Sequence, residues 1–201
     1  MTRLRATLVV ALLGLAAACG IQADDGPRAI TQDQRPDDLE RDAAPTDGPT
    51  LQADVYFTRY DGDRYNLVAV ESAVQPGSSS SRPTPATVLE ALLDGVDDAD
   101  EDAPNIVTNI PPDTELAGPP VLDDAGVLTV HLTTGISGVQ SSGARLAYGQ
   151  LVCTAVALDE VDSVRFVVDD QPIQAPTGEG ETSTGPLTCD SYANLLETPS
   201  G

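Results

Sequence analysis

The sequence predicts an α/β domain of the α+β kind, ordered ββαββαβ, with two helices on one face of a mixed sheet. Three observations carry that expectation. Residues 54–60 and 67–70 are β-branched and aromatic runs on either side of the turn signal Asp61-Gly62-Asp63. Two later stretches, around Leu89 and around Leu151, repeat apolar residues at helical spacing. Residues 127–132 and 164–168 return to strand character. Strand pairs that alternate with helices bury their apolar faces by placing the helices against the sheet.

The first strand is Asp54-Val55-Tyr56-Phe57-Thr58-Arg59-Tyr60, and Leu67-Val68-Ala69-Val70 returns as its hairpin partner. A Gly/Ser/Pro stretch from Gln75 to Pro83 ends in Thr84-Pro85, an N-cap followed by a proline at the first helical position. Val88, Leu89, Leu92 and Leu93 then share one helical face, and Gly95 closes it. Asp97 to Pro104 is an acidic loop. Ile106 to Pro112 runs irregularly into a strand around Thr114 to Ala117, and Asp123-Asp124-Ala125-Gly126 reads as a turn. In the strand from Val127 to Leu132, Leu128, Val130 and Leu132 point one way and Val127, Thr129 and His131 the other. Ala144 to Leu158 is the second helix, with Tyr148, Leu151, Val152, Ala155 and Leu158 inward. Val164 to Val168 closes the sheet, and Asp169-Asp170 turns the chain into an extension through Ile173. After a Gly/Thr-rich loop, Thr188 caps a short helix holding Tyr192, Leu195 and Leu196.

Ahead of this domain the chain opens with Arg3 and Arg5, an apolar run from Leu8 to Leu15, and Ala16-Ala17-Ala18-Cys19. That order is an export signal, too short in its apolar part to span a bilayer. Small residues directly before a cysteine resemble the lipobox of bacterial lipoproteins, which implies lipidation of Cys19 as the mature N-terminus. Residues 1–19 are therefore the signal and lipobox. Residues 20–50 form an acidic tether, 51–175 the domain and 176–201 a C-terminal extension. A flexible tether of that length spans roughly 30 Å root-mean-square. In an exported chain Cys153 and Cys189, the two remaining cysteines, pair as a disulfide that staples the extension to the second helix.

Charge narrows the function further. Thirty-two acids against 10 bases give −22 over 201 residues. Such a surface repels nucleic acid and anionic lipid headgroups, so no nucleic-acid partner is expected.

Several stretches together resemble the GerMN (sporulation and spore-germination) domain family. They are Val55-Tyr56-Phe57, Leu89 to Gly95, Asn109 to Leu116 (Asn-Ile-Pro-Pro-Asp-Thr-Glu-Leu), Val127 to Leu132, Gly149 to Thr154 and Val161 to Phe166. Gly185 to Tyr192 is similar to the ending of lipid-anchored members. The resemblance implies a small module related to ring-building motifs of envelope assemblies, used for interactions, with no catalytic activity attached. The chain departs from it with His131-Leu132-Thr133, where Asp or Asn, Leu and Ser are common, and with Asp170 in place of a turn glycine.

Chemistry finds little purchase in these residues. His131 is the sole histidine, so a Ser-His-Asp or Cys-His arrangement has one possible base and no paired nucleophile at recognisable spacing. Asp98-Ala99-Asp100-Glu101-Asp102 opens like a calcium loop, but Ala103 stands where glycine is required and Asn109 where a bidentate Glu belongs. No Walker, dinucleotide or zinc spacing is present, and neither catalysis, a metal nor a cofactor is expected. The expected function is a membrane-anchored, extracytoplasmic lipoprotein whose domain scaffolds an envelope protein. Around Tyr56, Thr58 and Tyr60 the sheet offers a surface for that partner. A second reading is a cell-wall polymer or small-ligand module, with Gln150, Thr154 and Asn109 as convergent polar groups.

Overall fold

The computed structural model describes residues 50–75, 80–95, 105–136 and 141–197. The chain divides into two units, Met1–Thr46 and Asp47–Gly201, and all described residues belong to the second. Cys19, the signal, the tether up to residue 49 and the acidic loop at 97–104 lie outside the described residues.

Two long strands, β1 (Leu51–Tyr60) and β2 (Tyr65–Val74), pair antiparallel from Leu51 opposite Val74 to Tyr60 opposite Tyr65. The second is longer at both ends than its apolar centre suggested. Asp61 sets their connection. Its Oδ1 accepts from the N–H groups of Asp63 and Arg64 at 2.9 and 3.0 Å, and its Oδ2 from Asn66 Nδ2 at 2.8 Å. The Arg64 and Asp63 amides, with Asn66, hold that carboxyl below its ordinary pKa of 3.8.

Helix α1 (Pro85–Asp94) begins at the Thr84 cap. There Thr87 N–H donates to Thr84 Oγ1 at 3.3 Å, and Thr84 N–H donates back to Thr87 Oγ1 at 2.9 Å. Gly95 ends the helix at φ 89°, a left-handed value that glycine adopts without steric cost. Val88, Leu89 and Leu92 are its buried face.

Beyond β3 (Ile106–Val107), which pairs with β1, the expected strand at 114–117 is reduced to one bridge between Leu116 and Leu132. Pro111, Pro112, Pro119 and Pro120 remove backbone donors on both sides of it, so no longer ladder forms. A two-residue strand β4 (Val121–Leu122) pairs instead with β5 (Val127–His131) across the Asp123 turn.

β5 and β6 (Ser163–Val168) run parallel and need a crossover, which α2 (Ser142–Val156) supplies. Ser141 caps α2 by accepting from Ala144 N–H at 3.1 Å. The strands fall into a β2-β1-β3 sheet, a β4-β5-β6-β7 sheet and a small β8-β9 pair, with β7 at Gln171–Pro172, β8 at Ala175–Pro176 and β9 at Thr182–Ser183. The α+β class holds, and the mixed sheet of the expectation is divided among these ladders. Both helices pack on β1 and on each other, while α2 also meets β6 and β8.

That central position explains why α2 is buried nearly all round, from Ala144 to Ala155. Gly149 permits the closest approach: a Cβ there would lie 2.7 Å from Leu67 Cδ1 and 3.1 Å from Tyr192 Cδ1. Tyr148 stacks edge-on against Phe166 with ring centres 5.0 Å apart. The 3₁₀ helix Cys189–Leu195 closes the other side of α2, and Tyr192 donates its buried hydroxyl to Pro176 C=O at 2.7 Å.

Burial pushes the Tyr148 and Tyr192 hydroxyls above the ordinary tyrosine pKa of 10.0. A raised folded-state pKa contributes stability that is complete below the unfolded value and is lost as pH rises past it. We expect the melting temperature to fall as pH climbs beyond about 10. In a spectrophotometric titration, two tyrosines should ionise only together with unfolding, and five tyrosines titrating reversibly in the folded chain would refute this.

Candidate functional site

Gln150 and Thr154 lie one turn apart on α2, and the fold aims both at the edge of β1. At Thr58 that edge is occupied by β3, since Thr58 pairs with Val107. Two residues earlier β3 has ended, and α2 takes its place. Thr154 Oγ1 accepts from Tyr56 N–H at 2.8 Å, and Gln150 Nε2 donates to Tyr56 C=O at 3.2 Å. The same Gln150 accepts from Asn109 N–H through Oε1 at 2.8 Å and approaches Thr108 Oγ1 at 3.5 Å. Side chains of a helix thus complete the hydrogen bonding that a further strand residue would have provided.

Asn109 and Thr58 extend the network. Thr58 Oγ1 lies 2.8 Å from both Val107 C=O and Asn109 Oδ1. One hydroxyl carries one proton, so the pair is satisfied when Thr58 donates to Val107 and the Asn109 amide presents its NH₂ group to Thr58. Gln150, Thr154 and Thr58 are all 0% exposed. The structure brings the three polar residues singled out in the sequence together, and Gln150 and Thr154 bond to the chain's own backbone. Helical period gives the face of a residue and not what meets it.

The tyrosines behave differently from one another. Tyr56 packs partly buried against the core, whereas Tyr60 and Tyr65 are 44% and 46% exposed at the hairpin tip, ring centres 5.0 Å apart. Val107, 43% exposed, follows along β3.

His131 is half-buried, with Nδ1 3.8 Å from Asp170 Oδ1. No hydroxyl or thiol among the described residues hydrogen-bonds its ring. Asp169 and Asp170 form the two-residue turn between β6 and β7, both in left-handed conformation at φ 49° and 59°. Such a turn matches strand twist and is usually given to glycine or asparagine, which accounts for the glycine expected at 170.

Cys153, buried in α2, and Cys189, at the start of the 3₁₀ helix, form a disulfide with Cα atoms 4.7 Å apart. No group of three or more His, Cys, Asp or Glu side chains among the described residues is arranged to hold a metal ion. No helix among them is long and apolar enough to cross a membrane.

A cleft of about 650 Å³ opens between β2 and α1. Val70 to Gln75 line one side and Thr87, Glu90, Ala91 and Asp94 the other. No residue pattern marks this cleft, because it depends on how far α1 stands from the sheet edge.

Comparison with known proteins bears on the fold. The tandem GerMN domains of the sporulation protein GerM from Bacillus subtilis superpose with a TM-score of 0.55 at 17% identity, covering 74% of this chain and 48% of that one. This chain therefore spans about half of the GerM chain it matches. A Clostridium perfringens protein named as a candidate lipoprotein aligns over 77% of this chain and 97% of its own at 15% identity, with a TM-score of 0.41. No curated protein matches the sequence. A family model described as Germane, sporulation and spore germination, matches residues 54–174. With that match over more than half of its length, the chain belongs to the Germane (GerMN-type) family.

Proposed function

We propose that this protein is a lipid-anchored lipoprotein on the extracytoplasmic face of the cell membrane, whose GerMN-type domain binds another envelope protein and performs no turnover. The observation that carries the reading is the disposition of polar groups. Gln150, Thr154 and Thr58 are turned inward to hold the fold, while the surface presents an exposed tyrosine pair and an open strand edge beside a cleft. That is a surface suited to contact. The Arg-apolar-Ala-Ala-Ala-Cys order at residues 3–19 and the Cys153–Cys189 bond support an exported location.

Two measurements test it. Cys19→Ala should move the chain from the membrane fraction to the medium or leave an unprocessed precursor; a variant that fractionates and migrates like the parent would remove the anchor. In-cell crosslinking followed by purification from membranes should recover a discrete envelope partner. Recovery of none, together with cosedimentation on purified cell wall, would favour the polymer-binding alternative.

A further inference from the structure

β2 is the outer strand of its sheet, and half of its backbone groups face away from β1. Leu67 shows which half: its C=O accepts from Glu197 N–H at 2.9 Å, on the side away from β1. Within a strand the N–H and C=O of one residue point to the same side, and that side alternates. Ala69, Glu71 and Ala73 therefore also turn their N–H and C=O groups outward, and among the described residues nothing bonds to them. At Leu67 the chain itself already uses this edge, through a parallel bridge to Leu196. From Ala69 onward it does not.

The cleft runs beside the open part of this edge. Its far wall is one stripe of α1, Thr87, Glu90, Ala91 and Asp94, spaced as neighbours on a helix. Three carboxylates, Glu71, Glu90 and Asp94, line it, and no arginine does. A second copy of this chain would bring these groups against their own kind, on top of −22 on each molecule.

We infer that the β2 edge and the α1 stripe form a docking groove for an extended, basic peptide segment of a partner protein, added as a fourth strand to the β2-β1-β3 sheet. Backbone bonds to Ala69, Glu71 and Ala73 supply affinity, and arginine or lysine side chains on the strand face toward α1, reaching Glu90 and Asp94, supply selectivity. The inference rests on the protein-binding reading above and names the chemistry of the partner.

The probe is the peptide acetyl-Arg-Val-Arg-Val-Arg-amide, titrated at low salt into isotope-labelled full chain and followed by amide chemical shifts. Shifts should concentrate at residues 69–75 and 87–95. Binding should weaken about tenfold when one of the peptide nitrogens that faces the β2 edge is methylated, since each lost hydrogen bond is worth of the order of a factor of ten. Ala73→Pro removes one outward N–H without touching the β1 ladder and should act alike. If that variant fails to fold, the methylated peptide still decides the matter. Absence of shifts at millimolar peptide, shifts elsewhere, equal binding of the methylated or an all-glutamate peptide, or self-pairing through β2 would each overturn the groove. A chain carrying Ala73→Pro that still crosslinks its membrane partner unchanged would overturn the groove and leave the protein-binding function standing. Loss of all partner capture in the parent would defeat that function itself.

Discussion

Reduction of the Cys153–Cys189 bond should lower the stability of the domain by about 3–4 kcal/mol, with a fall in melting temperature of roughly 10 °C. The bond closes a loop with a sequence separation of 36, and cross-linking over that length restricts the unfolded chain substantially. Other contacts also hold the segment after β9 in place. Leu187 pairs with Val164, Tyr192 is buried against α2, and Leu196 bridges to Leu67. These keep the reduced tail docked, so the expected outcome is a weakened native state with an unchanged fold. Thermal melts with and without dithiothreitol, and of the Cys153→Ala/Cys189→Ala double variant, measure it. EDTA should leave the melt where it was, because no group of three or more His, Cys, Asp or Glu side chains among the described residues is arranged to hold an ion. An unchanged melting temperature with both thiols demonstrably alkylated would contradict the argument, and a large fall with EDTA alone would require a metal.

Much of this architecture is written locally. Thr84 and Pro85 specify a helix start by cap and fixed φ, Asp61 and Asp123 specify turns by bonding their own backbone, and the alternation through Leu128, Val130 and Leu132 sets the buried face of β5. Each of these signals acts within a few residues. What escaped the sequence depends on distant partners. The division into separate ladders follows from where β3 stops and from the prolines at 111, 112, 119 and 120, and the two-residue strands β3, β4, β7, β8 and β9 are too short to carry a period. The same reason explains the candidate site. Gln150, Thr154 and Asn109 are legible as polar residues that could converge, but only the tertiary fold reveals that Tyr56 needs a donor and an acceptor at that place.

Gln150→Leu separates a stitch from a ligand site. Leucine resembles glutamine in bulk and suits a helix, so helical propensity and packing change little. Hydrogen bonding changes a great deal. Asn109 N–H loses its acceptor and Tyr56 C=O its donor, both beside a fully buried residue. A buried polar group left unpaired costs about 1–3 kcal/mol, so two of them predict a loss of about 2–4 kcal/mol in urea unfolding, allowing for partial relaxation. Thr154→Val removes the acceptor of Tyr56 N–H alone and should cost about half as much. Because both side chains serve the same backbone unit at Tyr56, the double variant should lose less than the sum of the two, with a coupling of about 0.5–1 kcal/mol. Hydrogen exchange should then show Tyr56 and Asn109 as the amides whose protection falls first. Variants with parental stability and parental exchange rates would show that Gln150 and Thr154 are free for a ligand, and the cell-wall or small-ligand reading would displace the one proposed here.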